Sequence, residues 1–576
     1  MLLVHGPRSA TYDFGPGHPL TPRRFGPGID LLRAVGAEPA LAPEPARDAE
    51  LLWCHTQRYI DTVRRFSADP FGMPAAGIAE GGDVPPFAGM HEAAAAVAGG
   101  SLRAIEAILR GDVEHAFHPG GGLHHAMPDR ASGFCVYDDP ALAIARARQD
   151  GLRVLYLDFD VHHGDGVQAI HFADPDVLTV SFHETGRYLF PGTGDVDELG
   201  EGIAAGTSVN VPLEAGTGEG AWLVAIGSLV PEVAAAFGPD IIVSQHGADS
   251  HAFDPLAHLR VTTTAMGEVA RLVDAVAHRY AGGRWLATGG GGYDAYRVVP
   301  RMWSLVWLAG AHRDVPDVVP GSWRDRWAGE AARYGQAPLP GSFSDPANAG
   351  QLLDGSQMAA ETRSSETAGL VRRVVVPALL REARDRDWWD PMASVAASVT
   401  NGASGAVVPD AAGAPTILAG VDGSVWDRLT LAPGVVPPAS AADGYAIVAA
   451  ALRDGADLTV GVVGTTVVAA TLSRGEAGSG PGELLALGVA PGWRRRGLAG
   501  AILQAHLAAL GETTVEAVVT VGERDPADPL DGKLRREIAR RLLTASGFEI
   551  TSAPAPVRAA DRDAFAAVRR GGRDPS

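Results

Sequence analysis

The sequence predicts an α/β fold of three layers, helices on both faces of a mostly parallel sheet, followed by a smaller α+β unit. Three observations carry this. Over residues 1–310, short apolar runs alternate with helical patterns, the arrangement that gives a covered parallel sheet. The chemically loaded segments each follow directly on one of those runs, where open parallel sheets bind ligands. Periodicity then lapses over 392–440 and returns from about 441.

The strands are expected at 114–117, 153–157, 177–181, 240–244 and 284–288. Each is a run of about five residues bounded by Gly, Asp or Pro, too short for a helix. Between and around them, 90–110, 139–150, 220–237 and 263–280 carry helical patterns. Residues 311–365 are rich in Pro, Gly, Ser and Asp with scattered tryptophans, and read as irregular. A helix is expected over 367–386, ending at Trp388-Trp389-Asp-Pro391. The stretch 386–440 reads as a boundary and linker, rich over much of its length in Ala, Gly, Ser and Pro. Beyond it come a helix (441–454), strands at 458–463, 467–472 and 483–489, and a helix at 497–510.

At 576 residues the chain has room for two or three domains, and 46% hydrophobic with 20% charged residues describes a globular protein. A formal net charge of −20 excludes nucleic acid as the main partner, because a phosphate backbone calls for a basic surface. Two cysteines, Cys54 and Cys135, make no disulfide framework. The N-terminus lacks a signal pattern, and no stretch approaches the roughly 18 uninterrupted apolar residues of a membrane helix. A cytoplasmic protein with no membrane partner is the expectation.

The most informative segment is Asp158-Phe-Asp160-Val-His162-His163-Gly-Asp165, paired with Gln245-His-Gly-Ala-Asp249. Residues i and i+2 on extended backbone point the same way, so Asp160 and His162 can grip one ion. Asp249 supplies a third ligand from another strand end. Two carboxylates and one imidazole leave a coordination position open, as catalytic zinc requires. The ligand types also admit ferrous iron, manganese or cobalt. An isolated Asp-x-His is more often a surface or capping pair. Here that reading would have to explain His124-His125 and Gly289-Gly-Gly-Gly-Tyr293 after two further strands as well.

Taken together, Pro119-Gly-Gly-Gly-Leu-His124-His125, Ala131-Ser-Gly133-Phe134-Cys135, the Asp158–Asp165 segment, Pro191-Gly-Thr-Gly-Asp195, Gly247-Ala-Asp249 and Gly289–Tyr293 resemble the zinc-dependent histone deacetylase superfamily. The bacterial acetoin-utilisation deacetylases look the most similar branch. The resemblance runs from the N-terminus to residue 310 and on toward 385, so it implies an arginase/deacetylase-like domain over 1–385. It further implies that a water acidified to a pKa near ~7 attacks the substrate amide. His125 would be the general base and then the acid, oriented by Asp165; His124 would be a cationic companion held by Asp158. Tyr293 would donate to the oxyanion, a role worth roughly 3 kcal/mol. Phe134 and Phe190 would wall the acyl-lysine channel beside Gly133, and Asp83 would bind the substrate backbone. A structural K⁺ or Na⁺ is implied at Asp158, Asp160, His162 and the backbone around Ser181 and Phe182. His163, His183, His246 and His251 are expected to support rather than ligate.

In the C-terminal unit, Glu483-Leu-Leu-Ala-Leu-Gly-Val489-Ala-Pro491-Gly-Trp-Arg494-Arg495-Arg496-Gly497-Leu-Ala499-Gly500 reads as strand, turn and helix start. With Ala545-Ser-Gly-Phe548 it resembles the Gcn5-related N-acetyltransferases over 441–565. That implies acetyl-CoA held by amides at a helix N-terminus, with Val489, Arg494, Arg495, Arg496, Gly497, Ala499 and Gly500 forming the cradle. The leading function is deacetylation of acetyl-lysine on proteins such as an acyl-CoA synthetase, with acetyl transfer by the second unit. The alternatives are an acetylpolyamine or other small-molecule amidohydrolase and an acetyl-CoA-sensing scaffold.

Overall fold

The computed structural model describes residues 1–346, 349–351, 355–385, 399–401, 416–426, 429–431, 435, 441–463, 466–475, 482–489, 498–511, 513–519, 532–552 and 564–570. The chain divides into two compact units. One is Met1–Val230 with Gly238–Val375, the other Pro231–Phe237 with Val376–Ser576.

The first unit is built on eight strands: β1 (Leu2–Val4), β2 (Pro39–Leu41), β3 (His115–His118), β4 (Val154–Asp158), β5 (Val177–Glu184), β6 (Ser208–Leu213), β7 (Ile241–Gln245) and β8 (Trp285–Thr288). Their order is β2-β1-β3-β8-β7-β4-β5-β6, and every neighbouring pair is parallel. The sheet is thus wholly parallel where a mostly parallel one was expected. β3, β4, β5, β7 and β8 are buried at every position. This explains their continuous apolar character, because helices cover both faces. The strands that precede the four motifs, β3, β8, β7 and β4, are contiguous in the sheet. That adjacency gathers segments lying far apart in the sequence.

The helices are locally well specified. Asp138 caps the helix Asp139–Gln149 by accepting from the Ala141 amide at 2.8 Å, and Pro140 lies in its first turn. Thr262 caps Thr263–Tyr280 in the same way. The helix Glu219–Phe237 is long and apolar enough to cross a membrane by length and composition. However, 67% of its apolar window is buried inside the protein, as in a core helix.

Three expectations over 311–440 need correction. Gly321–Arg333 is a helix, not irregular chain. Trp323 and Trp327, one turn apart, dock on the helix Phe25–Ala34: Trp323 Nε1 donates to Pro27 O (2.9 Å) and Trp327 Nε1 to Asp30 Oδ2 (3.1 Å). Tertiary packing fixes a segment whose polar composition argued for a loop. The next helix begins at Gly355, a dozen residues before the expected start.

The second unit carries a mixed sheet in the order Glu549–Ser552, Phe565–Arg569, Val515–Val519, Gly482–Val489, Thr466–Arg474, Asp457–Val463, Thr416–Ala419, Val399–Asn401. Thr416–Ala419 pairs antiparallel with Asp457–Val463. Part of the expected linker is therefore strand.

Residue 345 ties the stretch after Gly321–Arg333 to the core of the first unit. The Asp345 carboxylate accepts from Arg301 Nη1 (2.7 Å), Thr263 N (2.9 Å) and Thr263 Oγ1 (2.7 Å), and lies 2.8 Å from His251 Nε2. Arg301 is itself buried. Asp345→Ala leaves that cation without its partner. We expect a loss of about 3–5 kcal/mol in denaturant unfolding, against little change for Asp314→Ala on the exposed surface.

Candidate active site

The first two turns after β4 carry Asp160, His162 and Asp165, and the turn after β7 carries Asp249. Asp160, His162 and Asp249 are all buried, and their ligand atoms lie within 4.8 Å of one another. His162 Nδ1 is 3.0 Å from Asp160 Oδ1 and 3.2 Å from Asp249 Oδ2. The carboxylates are aimed by a second ring of donors. Gln245 Nε2 (2.6 Å) and Gly291 N (2.9 Å) donate to Asp160 Oδ2. His162 N donates to Asp160 Oδ1 (3.0 Å) and Val161 N to Asp249 Oδ1 (3.0 Å). Gly291 must be glycine, because a Cβ there would collide with the Asp249 carboxylate.

The histidine pair follows β3. His124 Nδ1 is 2.7 Å from Asp158 Oδ2, which also accepts from the Tyr156 hydroxyl at 2.7 Å. His125 Nδ1 is 2.6 Å from Asp165 Oδ1. Burial opposes charge on both rings, yet they part. At His124 the Asp158 and Asp160 carboxylates outweigh burial and lift the pKa to about 10. At His125 burial is joined by the charge on His124, and the pKa falls to about 4. At neutral pH, then, one ring is a fixed cation and its neighbour a free base.

Charge also tests whether a metal fits. Asp158, Asp160, Asp165 and Asp249 are four buried carboxylates. Arg24 is buried nearby, and its Nη1 donates to Gly290 O (2.7 Å) at the glycine loop. With no ion between them, the Asp160 and Asp249 carboxylates outweigh burial and hold a proton on His162, whose pKa rises to about 10. A divalent cation among Asp160, His162 and Asp249 would take the place of that proton, and two carboxylates with one imidazole are a donor set that suits it.

A small pocket opens at Asp160 and His162, lined also by Leu20, His125, Gly133, Phe134 and Tyr293. Burial and the nearby Asp249 and Asp160 raise the Tyr293 pKa, which keeps its hydroxyl a donor. The Tyr293 amide donates to Asp254 Oδ2 at 2.9 Å. Phe134 stands edge-on to Tyr293 with ring centres 6.0 Å apart. Phe190, 39% exposed, stands edge-on to His125 at 5.0 Å. Gly133 (φ +50°) lies between them, where a Cβ would strike both His125 and Phe190. Asp83 is exposed, and its carbonyl oxygen lies 3.3 Å from His18 Nε2.

The remaining histidines make supporting contacts. His163 reaches Thr193 Oγ1 (2.8 Å), His183 Ser181 Oγ (2.9 Å) and His246 Ser244 Oγ (2.8 Å), while His251 holds Asp345. Sequence reasoning missed Arg24, Asp254 and Tyr12. The Tyr12 hydroxyl donates to Phe134 O (2.7 Å) and accepts from Val136 N (3.1 Å), propping the channel loop. In the second unit Val489, Ala499 and Gly500 lie at a strand end and a helix start. Arg494, Arg495, Arg496 and Gly497 lie outside the described residues.

A free base, a phenolic donor and three side chains able to hold a cation, gathered at one small pocket, are the equipment of a hydrolase. Residues 18–309 match the family model of the histone deacetylase domain, and the chain belongs to that family of deacetylases. It is 46% identical over 315 residues to the acetoin utilization protein AcuC of Bacillus subtilis (strain 168), covering 53% of this chain and 81% of that one. The AcuC protein of Staphylococcus xylosus is 38% identical over 310 residues, covering 52% and 79%. Among solved structures, a histone deacetylase homologue from Aquifex aeolicus aligns with a TM-score of 0.55 and 28% identity over 63% of this chain and 99% of that one. A homologue complexed with SAHA aligns with a TM-score of 0.54 and 26% identity over the same shares.

Two outcomes follow from this geometry. Tyr293→Phe should lower kcat by roughly 10²–10³ while the divalent metal content, read by mass spectrometry, stays unchanged. The acid limb of kcat/KM should fall near pH 4, where His125 gains its proton, well below the ordinary histidine value. A limb centred at about 6.5 would mean that neither burial nor the His124 charge lowers this ring.

Proposed function

We propose that the first unit is a zinc-dependent amidohydrolase that removes acetyl groups from lysine side chains of proteins. The observation that carries this reading is a small pocket lined by Phe134, His125, Tyr293, Asp160 and His162, with Phe190 edge-on to His125 at its side and Asp249 within reach of His162. An extended alkyl chain between flat rings is shielded from water, and its amide arrives at the polar end. When bound, the ion polarises the amide carbonyl and acidifies the attacking water. His125 takes the proton of that water as it adds to the carbonyl carbon. The Tyr293 hydroxyl donates to the oxygen as charge gathers on it. His125 then passes the proton to the departing lysine nitrogen, the C–N bond breaks, and acetate and free amine result. His124, already cationic, steadies the negative charge without exchanging its proton.

Asp83 at the exposed rim suits contact with a peptide backbone. Asp158 and Ser181, directly opposite in the β4–β5 ladder, suit a monovalent cation beneath the site. The two cysteines are free and buried, in keeping with a reducing cytoplasm.

For the second unit we propose acetyl-CoA binding with acetyl transfer as its role. Gly482–Val489 and Val515–Val519 run parallel, and among the described residues they pair from Gly482 to Leu484. The helix Leu498–Ala509 follows Gly482–Val489 in the chain. A helix N-terminus after a strand suits a pyrophosphate.

Discrimination between substrates tests the first reading. The full chain should show a higher kcat/KM on acetyl-lysine peptides than on acetylated polyamines, with both activities lost in Tyr293→Phe. A preference for the polyamines would replace the protein substrate with a small-molecule one. Calorimetry with acetyl-CoA should detect binding that weakens at least tenfold in Arg494→Ala/Arg496→Ala; no binding by the unaltered chain would end the second reading.

A further inference from the structure

A second convergence of metal-binding side chains lies at the opposite edge of the same sheet. His115 is the first residue of β3, whose far end leads to the catalytic histidines. Asp274 and His278 sit one turn apart on the helix Thr263–Tyr280, so their side chains share a face. His312 follows the helix Val299–Gly310 and holds a left-handed backbone (φ 53°), uncommon for a residue with a Cβ. Three segments of chain thus turn four ligating groups to one place.

Their geometry is that of a coordination shell. His115 Nε2 is 3.0 Å from His278 Nε2, which is 3.1 Å from His312 Nε2. Asp274 Oδ1 is 3.1 Å from His312 Nε2, 3.3 Å from His115 Nε2 and 3.6 Å from His278 Nε2. Four atoms bound tetrahedrally at about 2.0–2.1 Å from zinc lie about 3.3 Å apart. The observed separations bracket that value. Hydrogen bonding alone explains the cluster poorly. A ring Nε2 carries at most one proton or one lone pair, and the three nitrogens cannot all satisfy one another and a single carboxylate oxygen. The His115 ring is buried, and its Nδ1 has no hydrogen-bond partner among the described residues. Its Nε2 is therefore the ring's polar anchor.

We propose that His115, Asp274, His278 and His312 bind a structural zinc ion. Three imidazoles and one carboxylate fill all four tetrahedral positions, which leaves none for a substrate and marks the site as a clamp. The clamp joins the start of β3 to the helix Thr263–Tyr280 and to the chain after Val299–Gly310. It fastens the edge of the sheet away from the catalytic loops. His278 and His312 are 38% and 53% exposed, so the ion can enter from solvent. The inference is independent of the deacetylase reading, since it concerns different residues.

The test separates the two sites. An untagged full-length chain carrying His162→Ala and Asp249→Asn, loaded with zinc and gel-filtered, should retain one zinc per chain. Adding His278→Ala and His312→Ala, both at exposed positions, should reduce this to none. With the catalytic trio intact, the His278→Ala/His312→Ala chain should fall from two zinc ions to one and keep its deacetylase activity. Its melting temperature should no longer rise on adding zinc, as that of the unaltered chain does. Cobalt gives a second readout, because its tetrahedral visible absorption should drop to the catalytic-site share in that variant even if the trio variants fold poorly. Equal metal content and equal cobalt spectra with and without His278 and His312 would overturn the proposal.

Discussion

Burying four carboxylates at the ends of neighbouring parallel strands is costly unless cations meet them, and most of the first unit is arranged to meet that demand. Arg24 is brought from a distant segment to lie under the glycine loop. His124 is charged because Asp158 and Asp160 require it. Backbone amides of Val161, His162 and Gly291, with the Gln245 side chain, take up the remaining lone pairs of Asp160 and Asp249. Hydrogen bonds of this kind hold ligands in place before any ion arrives, which is what a functional site needs from its support.

Strand order makes such concentration possible. β3, β8, β7 and β4 stand side by side although β4, β7 and β8 follow one another in the chain only across long connections. The four turns beyond them therefore share one edge. Parallel pairing gives every strand the same direction, so all four C-terminal ends open on the same side. An antiparallel neighbour would have sent one motif to the opposite edge. The glycines of the loop after β8 then let it pass against Asp249.

The parts of this arrangement legible in sequence are those where chemistry is local. Asp160 and His162 share a side because extended backbone repeats every two residues. The helices 139–149 and 263–280 announce themselves through Asp138 and Thr262. Arg24, Tyr12 and Asp254 carried no such signal, since each acts across long stretches of chain on a loop that its own neighbours do not reveal. The tryptophans at 323 and 327 looked scattered, and their one-turn spacing gained meaning only against the helix Phe25–Ala34. Composition misled over 392–440, where small residues suggested a linker yet Thr416–Ala419 completes a ladder. The cluster at the far edge was hidden for a similar reason. Only Asp274 and His278 are close in sequence, and one such pair on a helix is ordinary.

The difference in charge between the two paired histidines has a specific origin. The ring centres lie 4.0 Å apart with the planes tilted by 51°, and each ring presents Nδ1 to an aspartate at nearly the same distance, 2.7 Å for His124 and 2.6 Å for His125. Each ring thus has an aspartate at Nδ1, and Asp158 is the strongest influence raising His124. A further difference lies at the other nitrogen. His124 Nε2 is 3.9 Å from Asp160 Oδ1, so that ring sits between two carboxylates. His125 instead turns the rest of its ring toward Phe190 and the apolar side of the pocket. Two imidazolium ions at such a spacing repel strongly in a low-dielectric interior, and the proton settles on the ring with carboxylates on both sides. Asp160 thus does two things at once: it holds an oxygen 3.0 Å from His162 Nδ1, and with Asp158 it keeps His124 charged beside the buried His125.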